Sequence, residues 1–130
     1  LLLIGAFNTF PEKDQAHYEQ NPDMIPFFRR LDIRWKSTRN LRNDRLDYSH
    51  LQKIERTGYQ DVIAERRERF LGTFPTKLRL DEDNGPSRRL DYIFANKVLA
   101  DKCMKARYLI NSKTDTLSDH YPAIAEFEIE

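Results

Sequence analysis

The sequence predicts an α+β domain, in which short strands alternate with helical segments of varied length. Three observations carry this. Residues 89–94 and 123–129 alternate apolar and polar side chains, the period of a strand with one face covered. Residues 24–31 place apolar side chains at 24, 25, 27, 28 and 31, the spacing of a helix face. Residues 81–87, Asp-Glu-Asp-Asn-Gly-Pro-Ser, hold the strongest turn chemistry in the chain.

Taken in order, Leu1-Leu2-Leu3-Ile4 before Gly5 reads as a strand buried on both faces. A chain that opens in mid-strand is expected to be part of a longer fold. Thr9 and Glu12 have the spacing of a capping box, and Pro11 suits an early helical position, so a helix is expected over 11–20. It ends before Asn21-Pro22. The next helix covers 24–31, with Pro26 in its first turn. Leu46, Leu51 and Ile54 form a weak helical stripe that closes at Gly58, a natural C-cap. Residues 69–74 read as a short aromatic strand stopped by Pro75. In 89–94, Leu90, Tyr92 and Phe94 share one face, and Asp91 and Ile93 the other. Residues 97–102 fit a helical turn, 106–110 a strand, and 123–129 a closing strand.

Composition narrows the function classes. The chain has 130 residues, with 22 Lys and Arg against 21 Asp and Glu, for a net charge of +1. A chain this long buries on the order of two-thirds of its unfolded surface. Leu, Ile, Val and Phe number 33, which with the low net charge excludes wholesale disorder. No apolar run approaches the roughly 18 residues of a membrane span, so no transmembrane segment is expected. The single Cys103 excludes a disulfide-stapled scaffold. Near-neutral charge removes the broadest argument for a nucleic-acid binder. Residues 29–69 are nonetheless basic, with twelve Lys and Arg against seven acids. Two readings stay open there: a solvated face laced with ion pairs, or a phosphate-facing rim with Trp35 as a stacking partner.

Polar residues at the ends of apolar runs mark where a sheet can present chemistry. Three stand out: Asn8 after the opening strand, Asp91 within an aromatic strand, and Asp119-His120 before the last strand. Each has a bland explanation as a turn, cap or structural acid. A phosphoester site gives all three a common purpose. There a carboxylate holds a hard divalent cation, a histidine contacts phosphate, a second acid orients that histidine, and an amide steadies an oxygen.

Gly5-Ala6-Phe7-Asn8, Arg89-Leu90-Asp91-Tyr92-Ile93 and Ser118-Asp119-His120-Tyr121-Pro122 occur in the order of the G-D-x-N, R-L/I-D-Y-I and S-D-H-x-P signatures. Together they resemble the C-terminal half of the endonuclease/exonuclease/phosphatase superfamily, the deoxyribonuclease I-like fold. Gly58-Tyr59-Gln60-Asp61-Val62 and Gly72-Thr73-Phe74-Pro75-Thr76 are similar to bacterial members. The resemblance spans residues 1–130 and implies half of a four-layer α/β/β/α sandwich with mainly antiparallel strands. It implies a metal-dependent phosphodiester hydrolase, nuclease-like, whose substrate is DNA, RNA, a lipid or a soluble phosphate ester. In that scheme Asn8 holds a phosphate oxygen or the attacking water. Asp91 hydrogen-bonds His120, Asp119 binds Mg²⁺ or Mn²⁺, and His120 contacts the scissile phosphate. Thr73 and Arg89 line the substrate cleft.

The sequence departs from the family pattern in two ways. Ala6 stands where the signature has its acid, and a methyl group neither accepts a proton nor binds a cation. Loss of a positioned general base costs about 10²–10⁴-fold in rate. The family's N-terminal half, with its own Asn and metal-binding Glu, is not among these residues. The exposed inner sheet face is therefore expected to be covered by that half or by another chain. The alternatives are a non-catalytic member that binds a phosphate-containing ligand or a protein, and an unrelated interaction domain whose motifs match by accident.

Overall fold

The computed structural model describes residues 1–130. Its secondary structure runs β1 (Leu2–Ala6), a 3₁₀ turn (Glu12–Asp14), α1 (Gln15–Glu19), α2 (Met24–Arg34), β2 (Leu41–Arg42) and β3 (Arg45–Leu46). There follow α3 (Ser49–Arg56), β4 (Tyr59–Asp61), β5 (Asp91–Asn96), α4 (Lys97–Ala100), β6 (Cys103–Tyr108), a second 3₁₀ turn (Thr114–Thr116) and β7 (Ala123–Phe127). All strand pairing is antiparallel: a sheet in the order β1-β5-β4, the hairpin β2-β3, and the pair β6-β7. No helix is long and apolar enough to cross a membrane.

The centre is β5. Its period-two alternation sends Tyr92 and Phe94 toward Leu51 of α3, while Ile93 and Ala95 face Val62, Ile63 and Tyr108. Both faces are therefore covered, as befits a middle strand. A separate cluster joins Phe10, Tyr18, Phe28, Leu46 and Leu90 beneath α2, with the Phe10 and Phe28 rings edge-to-face at 5.1 Å. Gly58, at φ +93°, ends α3 in a conformation that favours glycine.

Several expectations are corrected. The opening strand is not buried on both faces: β1 is an edge strand, and Ile4 is 64% exposed. Only Leu3 packs inward, against the Tyr92 and Phe94 cluster. The expected 11–20 helix divides into a 3₁₀ turn and the short α1, and no side chain caps it. The Glu12 carboxylate instead accepts Gln52 Nε2, a long-range partner in place of the local cap. Leu46 belongs to the β2-β3 hairpin, which breaks the helical stripe. Residues 69–74 form no strand; a single bridge joins Phe74 to Arg88. The hairpin and β4 are too short for any periodicity to reveal.

Candidate functional site

The site begins where β1 pairs with β5. Ala6 lies directly opposite Asp91, so their side chains share one face of the sheet. The Phe7 N–H donates to the Leu90 carbonyl, continuing the pairing one step further. Asp91 thus sits at the start of a rigid central strand, and the Tyr108 hydroxyl donates to its carbonyl at 2.6 Å.

His120 reaches Asp91 from a loop without regular structure, and backbone bonds hold that loop. Thr76 N–H donates to the Asp119 carbonyl at 3.1 Å, Tyr121 N–H to the Thr73 carbonyl at 2.9 Å, and Thr76 Oγ1 to the Ser118 carbonyl. The Phe74 ring packs against the His120 imidazole at 4.9 Å. So the 73–76 segment is the cradle of the histidine loop.

Within that cradle His120 Nδ1 lies 2.8 Å from Asp91 Oδ2, with both side chains half-buried. An ionised carboxylate can only accept, so this bond puts the proton on Nδ1 and leaves Nε2 free for a ligand. The pair opens into a pocket of 350 Å³ bounded by Gly5, Ala6, Ser118 and Pro122. A carboxylate-oriented imidazole in a shallow cleft can donate to, or accept from, an oxygen of a bound anion.

The structure does not bring every predicted residue to this pocket. Asn8, at φ +50°, lines a neighbouring recess of 370 Å³ with Arg39, Asn40 and His50. Asp119 lies beside His120 but does not line the pocket, and its carboxylate accepts only the Ser118 hydroxyl, at 3.3 Å. Nowhere do three His, Cys, Asp or Glu side chains gather as a metal cage. Asp119 is then a single available carboxylate. A lone carboxylate could supply at most one ligand to a hard cation such as Mg²⁺, which is held by one or two carboxylates with waters and phosphate oxygens.

Thr73 and Arg89 do not line a cleft, and both are 0% exposed. Thr73 Oγ1 accepts the Leu90 N–H at 2.9 Å, a bond that ties the cradle to β5. Arg89 Nε donates to Asp14 Oδ2 at 2.8 Å and its Nη1 pairs with Asp61, while Asp14 also pairs with Arg67. Burial alone would lower the pKa of this guanidinium. The Asp61 carboxylate, with Tyr108 and Asp14, outweighs burial and raises it above its usual range. Arg89 stands two residues before Asp91, a spacing that shares a face within a strand, but it precedes β5, and its side chain turns to Asp14 and Asp61. Sequence reasoning missed Phe74 as the packing partner of His120, Asp14 and Asp61 as the partners of Arg89, and Arg67 as the second cation on Asp14. The Asp14–Arg89 pair spans 75 residues, a separation that carries no local signal.

A larger cavity, 520 Å³, lies between α2 and the 79–86 loop. Its charges are mixed, with Arg30 facing Asp83 and Arg79 facing Glu82, and it holds no histidine. Size therefore does not coincide with chemistry, which concentrates at Asp91 and His120.

No protein-family model and no curated protein matches the chain. Among solved structures it is similar to NExo, a 3′ phosphatase from Neisseria, bound to product DNA hairpin. The TM-score is 0.60 at 20% identity, over 99% of this chain and 45% of that one. The likeness shows the fold: mixed helix and antiparallel sheet, of the deoxyribonuclease I-like type. The chain spans less than half the length of that enzyme.

Proposed function

We propose that the chain carries the histidine side of a phosphoester hydrolase site, where water displaces an alcohol from a phosphodiester. The observation behind this is the Asp91–His120 bond, formed over 29 residues beside the strand position where the family signature has its acid. In this reading the imidazole is doubly protonated against the anion. Its Nδ1–H donates to Asp91 and its Nε2–H to a non-bridging phosphoryl oxygen, where it stabilises the charge that grows there. Asp91 orients the ring and offsets its charge. Asn8, two residues past β1 in the neighbouring recess, would hold a phosphate oxygen or the attacking water from that side. Asp119 would contribute a ligand to a Mg²⁺ or Mn²⁺ ion, which would supply charge neutralisation during cleavage.

Ala6 impairs this chemistry. A carboxylate at position 6 would have its Cβ about 4.5–5.5 Å from that of Asp91, on the same face. Ala6 leaves no base to take the proton of the attacking water, at a cost of about 10²–10⁴-fold. The N-terminal half of the same fold, or another chain, is the proposed cover for the exposed Leu2 and Ile4. Because the Neisseria relative is a 3′ phosphatase bound to DNA, DNA ends are the first natural substrate to try.

The test compares this chain with its Ala6→Asp variant on bis(p-nitrophenyl) phosphate and a 3′-phosphorylated DNA hairpin, with Mg²⁺, Mn²⁺ or EDTA. The expected result is turnover raised at least about 100-fold in the variant, and lost with EDTA or after His120→Ala. Silence from the variant, even with the covering half supplied, refutes the hydrolase. Ala6 itself favours a second reading, a member that binds phosphate without cleaving it. That reading predicts ligand binding by both proteins and turnover by neither.

A further inference from the structure

One charged surface is not used by the Asp91–His120 pocket. Between Asp32 and Asp44 the chain has no acid, and Arg34, Lys36 and Arg39 are all exposed. None of the three forms an ion pair, whereas Arg29, Arg30 and Arg45 nearby all do. Trp35 stands among them, 54% exposed, with the Arg34 guanidinium 5.3 Å from its ring centroid. The segment is held in place. Thr38 N–H and Oγ1 both donate to the Trp35 carbonyl, and the Asp32 carboxylate accepts the N–H groups of Asn40 and Leu41. Its end, Arg39 and Asn40, lines the 370 Å³ recess together with Asn8, His50 and Asp47, whose carboxylate is taken up by Ser49 and His50.

We infer that this strap is a binding track for single-stranded nucleic acid. Unpaired cations beside an exposed aromatic ring are what a phosphate–base ladder needs, since the cations meet phosphates and the ring takes a base. The track has a direction. It runs from Trp35 through Arg39 into a recess of the size that accepts small ligands, about 300–1,000 Å³, and ends at Asn8. Asn8 lies two residues beyond Ala6, which faces Asp91. A strand on the track therefore leads toward the hydrolytic pocket. The inference rests on the phosphoester reading for that destination, and it makes a nucleic acid, rather than a lipid or a soluble ester, the substrate class.

Trp35 is the only tryptophan, so the protein carries its own probe. Titration of the full chain with a ten-residue oligothymidylate is expected to quench its fluorescence. Three phosphate contacts give a slope of log affinity against log salt near −2, from about −0.7 per contact on single strands, or roughly 20-fold between 50 and 200 mM salt. Lys36→Gln with Arg39→Gln should bring the slope to about −0.7. Anisotropy of a labelled oligonucleotide is expected to show weaker binding by Trp35→Ala at unchanged slope. Absence of binding, or a slope indifferent to the double substitution, overturns the inference. So does a Trp35 response to phosphatidylserine vesicles with none to oligonucleotide. Turnover by Ala6→Asp is scored separately. Strap-dependent binding without turnover retires the hydrolase and keeps the track; turnover of bis(p-nitrophenyl) phosphate without strap-dependent binding does the reverse.

Discussion

Replacing Arg89 separates a structural role from a substrate contact. Its side chain is 0% exposed, with Asp14 on one side and Asp61 on the other. In Arg89→Met, Asp14 keeps Arg67, but Asp61 keeps only the Ala64 N–H, at 3.1 Å. A buried carboxylate is left without its cation. Breaking such a pair costs about 3–5 kcal/mol, against a total stability of about 5–15 kcal/mol for a domain. Urea unfolding followed by circular dichroism should show the midpoint falling by about 1.5–2.5 M, for a slope near 2 kcal/mol/M. The orphaned Asp61 can escape its penalty by taking up a proton, so the deficit should shrink from pH 7.5 to pH 5. Adding Asp61→Asn should recover part of the loss at pH 7.5 and remove the pH dependence. A midpoint shift below about 0.5 M, or a deficit unchanged by pH and by Asp61→Asn, would refute the reasoning and reopen a surface role for Arg89.

Two further outcomes follow from the same geometry. In the Ala6→Asp background, Asp91→Asn is expected to lower kcat by about 10²-fold with little change in KM, because an amide no longer offsets the His120 charge. Equal losses in kcat and in stability would instead mark Asp91 as structural. Tyr18, Tyr92 and Tyr108 have pKa values raised above 10, chiefly by burial, and burial also pushes Tyr48 and Tyr121 up to about 12. The unfolded chain releases these protons near pH 10 while the folded chain keeps them, so stability falls as the pH rises above 10. Absorbance at 295 nm should then rise together with loss of ellipticity. Gradual ionisation with the fold intact would contradict this.

Much of the molecule was legible in the sequence, and the reason is local. The spacing of Met24, Phe27, Phe28 and Leu31 encodes α2. The alternation around Tyr92 and Ile93 encodes β5 with its two faces, and Gly58 stops α3. Each signal spans only a turn or a few strand residues. The motif around Ser118-Asp119-His120 marked the loop that meets Asp91, which the 73–76 cradle, not pairing with β5, holds in place. Tertiary structure decided what those side chains face. Ile4 has the chemistry of a core residue, but β1 is an edge strand and Ile4 lies in solvent. Thr73 and Arg89 have the chemistry of a cleft, but partners up to 75 residues away enclose them. Nothing local separates an arginine bound for Asp14 and Asp61 from one bound for phosphate; only the folded path of the chain sets which anion it meets. The sequence determined the longer elements, α2 and β5 above all, and which residues can do chemistry. The packing of β1 on β5, with the 73–76 cradle beneath His120, decided which of them stand together, because burial and pairing depend on neighbours remote in the chain.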